Sequence, residues 1–80
     1  MKVTVEVTRR PEIADPEGAT TRRALKDLGY EGVESVRFDR LIHLEVEGDD
    51  RDEIHDEVEG MCREVLVNPV LEDYRIEVGP

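Results

Sequence analysis

The sequence of 80 residues lacks tryptophan and has one phenylalanine and one cysteine. A single cysteine excludes an internal disulfide, so nothing points to an oxidising compartment. Only 38% of the residues are apolar, and a domain this small buries about 60% of its unfolded surface. One chain therefore has a thin core, and association with itself or with another protein is expected.

Basic residues are also few: the sequence has 11 lysines and arginines and 21 aspartates and glutamates, which gives a net charge of -10. The negative electrostatic potential of such a chain repels nucleic acids and anionic membranes. Only Lys2 and Lys26 are lysines. Many acids with little lysine slightly favour adaptation to concentrated salt, where ions screen self-repulsion. Ordinary acidic bias in a GC-rich genome is the alternative.

Long apolar runs are missing as well. No stretch approaches the roughly 18 apolar residues of a membrane span. The first seven residues alternate between polar and apolar side chains, which is unlike a signal peptide. The expected location is the cytoplasm, and one domain is expected over residues 1–80.

The apolar spacing predicts six elements in the order β-α-β-β-α-β. They are a strand at 3–7, a helix capped by Asp15 and ended by Gly29, strands at 33–38 and 42–46, a helix from Asp50 to Leu66, and a strand at 74–78. Asp39-Arg40 is predicted to form a tight hairpin, and Asn68-Pro69 to stop the second helix. This is the order of a ferredoxin-like α+β two-layer sandwich, with two helices on one face of an antiparallel sheet.

Residues with catalytic potential are scarce. Cys62 lies on the apolar stripe of the second helix, so it is interpreted as a core residue. His43 and His55 fit no metal-binding spacing, and no glycine-rich phosphate loop is present. The sheet face opposite the helices is expected to be polar, with Thr4, Glu6, His43, Glu45, Arg75 and Glu77.

A set of residues spread in order over the whole chain resembles the PurS family, the small subunit of phosphoribosylformylglycinamidine synthase. The set comprises Asp15, Pro16, Gly18, Leu25, Leu28, Gly29, Val36-Arg37, Met61-Cys62, Leu66, Asn68-Pro69 and Glu72-Asp73-Tyr74. The sequence departs from the family at Asp39-Arg40, where a Gly-Lys hairpin is usual. Any role of that lysine would pass to Arg40 only as a charge.

The resemblance implies a non-catalytic subunit that bridges an ATP-dependent synthetase and a glutaminase, so that ammonia reaches formylglycinamide ribonucleotide. It also implies a homodimer or homotetramer. No cofactor is expected on this chain, because ATP and magnesium belong to the synthetase in this family.

Polar residues in the segments that connect the elements are the candidate partner interface. They are Arg37, Arg40, Asn68, Pro69, Glu72, Asp73 and Tyr74. The alternative is structural: Asn68-Pro69 only stops the helix, and Tyr74 is a core aromatic.

Two rival functions stay open at this point. A regulatory ligand-binding domain of the ACT type has the same element order, although such domains usually sit on an enzyme chain. A small metal-dependent enzyme would require His43, His55 and carboxylates to converge.

Overall fold

The computed structural model describes residues 1–79, which form a three-stranded antiparallel sheet and two helices. The elements are β1 (Lys2–Arg9), α1 (Pro16–Asp27), β2 (Arg40–Glu45), α2 (Arg51–Met61), a π-helical turn (Cys62–Leu66) and β3 (Glu72–Val78). The strand order is β2-β1-β3. The predicted fold class, an antiparallel α+β sheet with two helices, is confirmed.

β1 lies at the centre of the sheet, and its valines form the core. Val5 faces Ile42 on one side and Ile76 on the other, so these three side chains share one face of the sheet. α2 packs against β3 on that face and buries Ile54 and Val58. The buried core is completed by Val3, Val7, Cys62, Val67 and Val78.

The predicted helix boundaries are confirmed in most details. Asp15 caps α1 by accepting a hydrogen bond from the Gly18 amide, and Pro16 occupies the first turn. Asp50 caps α2 in the same way through the amides of Asp52 and Glu53. Gly29 has a φ of +102°, the left-handed conformation that glycine adopts without steric cost after a helix.

The middle of the chain differs from the prediction, because residues 33–38 are not part of the sheet and no hairpin forms at Asp39-Arg40. Polar groups elsewhere hold this segment instead. Arg22 Nε donates to the carbonyl of Val33 at 3.1 Å, and the Phe38 amide donates to Asp15 Oδ2 at 2.8 Å. Because these bonds draw the segment back along α1, it does not reach the free edge of β2.

Residues 16–36, α1 and this returning segment, form an arm outside the core. None of the residues packed in or against the hydrophobic core belongs to the arm. Within residues 1–79, the sheet is therefore covered by α2 and the π-helical turn that continues it, whereas two helices on one face were predicted. The described chain measures 50 × 26 × 14 Å, with a radius of gyration of 16.3 Å. About 12 Å is typical of a compact domain of this length.

The sheet face opposite α2 is polar, as predicted. Thr4 lies between His43 and Glu77, and Glu6 lies between Leu41 and Arg75. Arg75 Nη2 donates to Glu6 Oε2 at 2.8 Å. Leu41 is the apolar exception, and it is largely exposed. Neither described helix has the length and apolar character needed to cross a membrane.

Candidate partner-binding site

Most of the predicted interface residues meet at one end of the sheet, where β1 ends and β3 begins. Four arginines organise this region, and we call them the arginine cluster: Arg9, Arg10, Arg37 and Arg40. The cluster joins the base of the arm to the loop that precedes β3. Each arginine contacts a backbone carbonyl, an acid or both.

Arg40 and Glu72 form the central ion pair of the cluster. Arg40 Nη2 donates to Glu72 Oε1 at 2.8 Å and to Oε2 at 3.1 Å. The Asn68 amide donates to Oε1 of the same carboxylate at 2.9 Å. These donors, the Asn68 amide first and then Arg40, lower the pKa of Glu72 below its ordinary value. Glu72 therefore fixes the loop before β3 to the start of β2.

Arg10 ties the same loop to the end of β1. Its Nη2 donates to the carbonyl of Pro69 at 2.9 Å, and its Nε lies 3.3 Å from Asp73 Oδ1. The Arg10 amide also donates to the carbonyl of Leu71. Asp73 remains 64% exposed at its side chain, so it is available to a second protein.

Arg37 and Arg9 connect the base of the arm to β1. Arg37 Nη2 donates to the carbonyls of Arg9 and Arg10, at 2.8 and 3.3 Å. Arg9 Nη1 donates to the carbonyl of Ala14 at 2.8 Å. These bonds set the direction in which the arm leaves the sheet.

Asp15 closes the base of the arm. Its Oδ1 accepts from the Gly18 amide at 3.0 Å and its Oδ2 from the Phe38 amide at 2.8 Å. Donation by the Phe38 and Gly18 amides lowers the pKa of Asp15. One carboxylate thus joins the first turn of the arm to the segment that directly follows the arm.

Asn68, Pro69 and Tyr74 each have a structural task. Asn68 Oδ1 accepts from the Val70 amide at 3.0 Å, a local turn that asparagine favours. The Pro69 carbonyl accepts from Arg10. Tyr74 lies opposite Val7 on the helix side of the sheet and packs against the core, so it stands apart from the arginine cluster.

An open cleft of about 630 Å³ lies between the base of the arm and this end of the sheet. Its lining mixes charged and apolar groups: Val7, Arg9, Asp15, Pro16, Glu17, Phe38, Asp39, Arg40 and Glu72. The lining contains no histidine, cysteine or serine, and its best-placed carboxylates already accept hydrogen bonds. The arrangement suits contact with another macromolecule better than acid–base or nucleophilic chemistry.

Cys62 is fully buried in the core, as predicted. Burial, and secondarily the charge of Glu59, raises the pKa of its thiol. A thiol that resists ionisation is a poor nucleophile.

His55, Asp56 and Glu59 come together on one side of α2, with their donor atoms within 4.8 Å of one another. His43 lies on the opposite face of the sheet, so the two histidines do not converge. The expectation that this chain holds no metal stays a prediction.

Sequence reasoning missed the central position of Arg9, Arg10 and Asp15. The adjacent arginines were the available signal, and one of them, Arg10, pairs with Asp73 of the same chain. Asp15 was interpreted only as a helix cap. Its second bond, to an amide 23 residues later, has no local signature in the sequence.

Comparison with known proteins gives a consistent result. A family model described as "PurS: Phosphoribosylformylglycinamidine (FGAM) synthase" matches residues 2–80. The phosphoribosylformylglycinamidine synthase subunit PurS of Methanocaldococcus jannaschii is 39% identical over 77 residues, covering 96% of this chain and 93% of that protein.

Solved structures agree in fold. The PurS structure of Bacillus subtilis superposes with a TM-score of 0.88 and 38% identity, covering 99% of this chain and 98% of that one. A chain of the structure of PurLQS from Thermotoga maritima has a TM-score of 0.85 and 36% identity, covering 95% and 93%.

Proposed function

Because the chain belongs to the PurS family of phosphoribosylformylglycinamidine synthase subunits, we propose that it bridges two enzymes. One is the ATP-dependent synthetase of purine biosynthesis, and the other is the glutaminase that supplies its ammonia. Docking the two enzymes together lets ammonia reach formylglycinamide ribonucleotide without loss to water. The chain itself contributes contacts rather than catalysis.

The observation that carries this proposal is the family match over residues 2–80. A similar chain in the PurLQS structure from Thermotoga maritima supports a role within a complex. The composition of the site agrees with a role in docking. The arginine cluster consists of charged side chains bonded to backbone carbonyls and acids, and it contains no nucleophile paired with a base. None of these findings favours the ACT-type alternative.

ATP and magnesium are assigned in this proposal to the synthetase partner. The sequence contains no glycine-rich phosphate loop that would hold a nucleotide. We place the complex in the cytoplasm, where ATP and glutamine are both available.

The subunit is proposed to act as a homo-oligomer, a dimer or tetramer. Its radius of gyration of 16.3 Å exceeds the roughly 12 Å of a compact domain of this length. Leu28, Tyr30 and Leu41 are more than half exposed in the single chain. Burying such apolar side chains favours self-association.

The proposed enzyme-facing surface lies around the loop before β3. Asp73 and Val70 are both exposed there, and Arg10 fixes the loop from beneath through the Pro69 carbonyl. A rigid, charged and partly apolar edge of this kind suits a protein partner. Arg37, Arg40, Asn68 and Glu72 hold this edge in place, and Tyr74 supports it from the core side.

The test is conversion of formylglycinamide ribonucleotide by the matching synthetase and glutaminase, with and without this chain, at low and high potassium chloride. We expect glutamine-dependent activity only when the chain is present. Activity driven by added ammonia should need the synthetase alone. If the chain makes no difference at any salt concentration, the bridging function is wrong.

Asp73→Lys tests the proposed surface within the same assay. We expect it to weaken glutamine-dependent activity while ammonia-driven activity stays unchanged, because it reverses an exposed charge at the docking edge. Asp56→Lys makes the same charge change on exposed α2 and serves as the matched control. Equal activity of both variants would remove Asp73 from the interface.

A further inference from the structure

Arg10 connects two parts of this chain that have different tasks, the base of the arm and the loop before β3. Its amide donates to the carbonyl of Leu71 at 2.9 Å, and its guanidinium bonds the Pro69 carbonyl and Asp73. On the other side, the Arg10 carbonyl accepts from Arg37 Nη2 at 3.3 Å. One residue therefore joins the proposed docking loop to the base of the arm.

Arg37 reaches this carbonyl from a backbone position that Asp15 fixes. The Phe38 amide, next in the chain, donates to Asp15 Oδ2 at 2.8 Å, and the Gly18 amide donates to Asp15 Oδ1 at 3.0 Å. We call these contacts of Asp15 and Arg37 the arm latch. Movement of the arm at its base would displace the Arg37 guanidinium and release the Arg10 carbonyl.

Pro11 makes the backbone of Arg10 a stiff connection. A residue before proline is restricted to extended backbone geometry, because the proline ring clashes with its amide and Cβ. Rotation at Arg10 therefore absorbs little of a displacement of its carbonyl. The displacement is passed to the Arg10 amide and side chain, which bond Leu71 and Pro69.

The arm latch is weak enough for a bound protein to influence it. Its hydrogen bonds lie at exposed or partly buried positions. Within residues 1–79, no residue of the arm packs in or against the hydrophobic core. One hydrogen bond of this kind contributes about two- to tenfold to an equilibrium. Coupling between two protein sites is typically about 5- to 150-fold, which a few such bonds supply.

We propose that the arm latch and the docking loop are coupled through Arg10, with Arg37 as a positioning residue for docking. The proposal rests on the proposed function, in which the loop around Asp73 contacts an enzyme. A closed latch holds the loop in its docking geometry. An enzyme bound at the loop in turn stabilises the latch, since coupling between two sites is reciprocal. The direction of the arm thereby regulates docking.

The first test measures hydrogen exchange of this chain without either enzyme. The amides of Val70, Leu71 and Glu72 bond to Asn68, so they report on the loop. We expect Arg37→Ala to speed their exchange about two- to tenfold, as the loss of one hydrogen bond would. Arg37→Lys should restore part of the protection. Amides of β1 should keep their wild-type exchange.

Arg23→Ala is the matched control, since it removes the same charge from an exposed position of α1 outside the latch. It should leave the exchange of the loop at the wild-type rate. Unchanged loop exchange in Arg37→Ala, or an equal increase in Arg23→Ala, would overturn the coupling. Equally faster exchange throughout the Arg37→Ala chain would overturn it too, because the loop would then have no specific connection to Arg37.

A double-mutant cycle tests the route through Arg10. Arg10→Ala should itself speed the exchange of the loop. Adding Arg37→Ala should then have little further effect, because the connection is already lost. Fully additive effects would show that Arg37 acts by another route, and the proposal would be wrong.

The second test adds the matching synthetase and glutaminase at saturating concentration. The enzymes should slow the exchange of the Gly18 and Phe38 amides, which bond Asp15, and Arg10→Ala should abolish this effect. Slowing that persists in Arg10→Ala would indicate that an enzyme covers the arm base directly, against the coupling.

Failure of the coupling differs from failure of the bridging function. A chain that supports glutamine-dependent activity but shows no response of its loop to Arg37→Ala would keep its proposed function and lose the coupling. A response of the loop without any glutamine-dependent activity would leave the connection inside the chain and remove the bridging function.

Discussion

Gly18 lies directly against the backbone carbonyl of Val36. A Cβ atom placed on Gly18 would overlap that oxygen, far inside van der Waals contact. The glycine is buried in the first turn of α1, whereas most of the helix is exposed. Its missing side chain therefore lets the returning segment of the arm lie against the helix.

Gly18→Ala should destabilise the arm, because either the Val36 carbonyl or α1 must move. We expect a loss of about 1–3 kcal/mol in the free energy of unfolding, in the range of overpacked sites. Weaker self-association should accompany it. Urea unfolding at a fixed chain concentration, together with the solution mass, measures both effects.

Gly60→Ala provides the matched control. Nothing lies within 4 Å of the position that its Cβ would take, and Gly60 is inside α2. Alanine is the better helix former, so this change should stabilise the chain by up to about 1 kcal/mol. Equal unfolding free energies for the two variants would show that the Gly18–Val36 contact has no energetic importance.

Acid should weaken the contact between Arg40 and Glu72. The folded pKa of Glu72 is lowered, so its stabilisation is complete above the ordinary glutamate value of about 4.3 and is lost as the pH falls through the folded pKa. Glu72→Gln should therefore cost about 1 kcal/mol at pH 7 and much less near pH 3. Urea unfolding at both pH values measures the difference.

The control for this pH dependence is Glu57→Gln, the same substitution at an exposed position of α2. It should change stability little at either pH. A cost of Glu72→Gln that is equal at pH 7 and pH 3 would contradict the proposed contribution of the ionised carboxylate.

The fold could be predicted from the sequence where local signals are strong. The alternating valines of β1, the caps Asp15 and Asp50, and the stop at Asn68-Pro69 all depend on neighbouring residues, and the structure confirms them. The segment 33–38 also has spaced apolar residues, although they alternate less cleanly, and side chains distant in sequence decide its path. Arg22 and Asp15 bind its backbone, and no local pattern reveals that competition.

The candidate site could likewise be predicted where local signals are strong and not where contacts are distant in sequence. The polar residues around β3 were recognisable, yet their common anchor, Arg10, lies about 60 residues away in the chain. Tyr74 lies on the core side, in register with Val7, as the structural alternative predicted from its alternation with Ile76 and Val78. The contacts of Arg10, in contrast, depend on the pairing of β1 with β3, which the local pattern does not reveal.

Purified protein should contain no stoichiometric zinc, although His55, Asp56 and Glu59 are close together on α2. Zinc ligands lie about 2.0–2.2 Å from the metal, so donor atoms up to 4.8 Å apart would have to move closer. These side chains have little packing to hold them there. Elemental analysis after dialysis against zinc checks this. One zinc per chain that His55→Ala removes and His43→Ala retains would contradict the prediction.

Stability should increase with potassium chloride, because the net charge of -10 on 80 residues makes the folded chain repel itself. The screening length is about 10 Å at 0.1 M salt and about 3 Å at 1 M, so most of the gain should come below 1 M. Thermal unfolding at 0.1, 1 and 2 M potassium chloride measures it. Asp56→Lys should reduce the dependence on salt, since it removes two units of excess negative charge. A melting temperature that is independent of salt would instead favour ordinary acidic bias over adaptation to a saline cytoplasm.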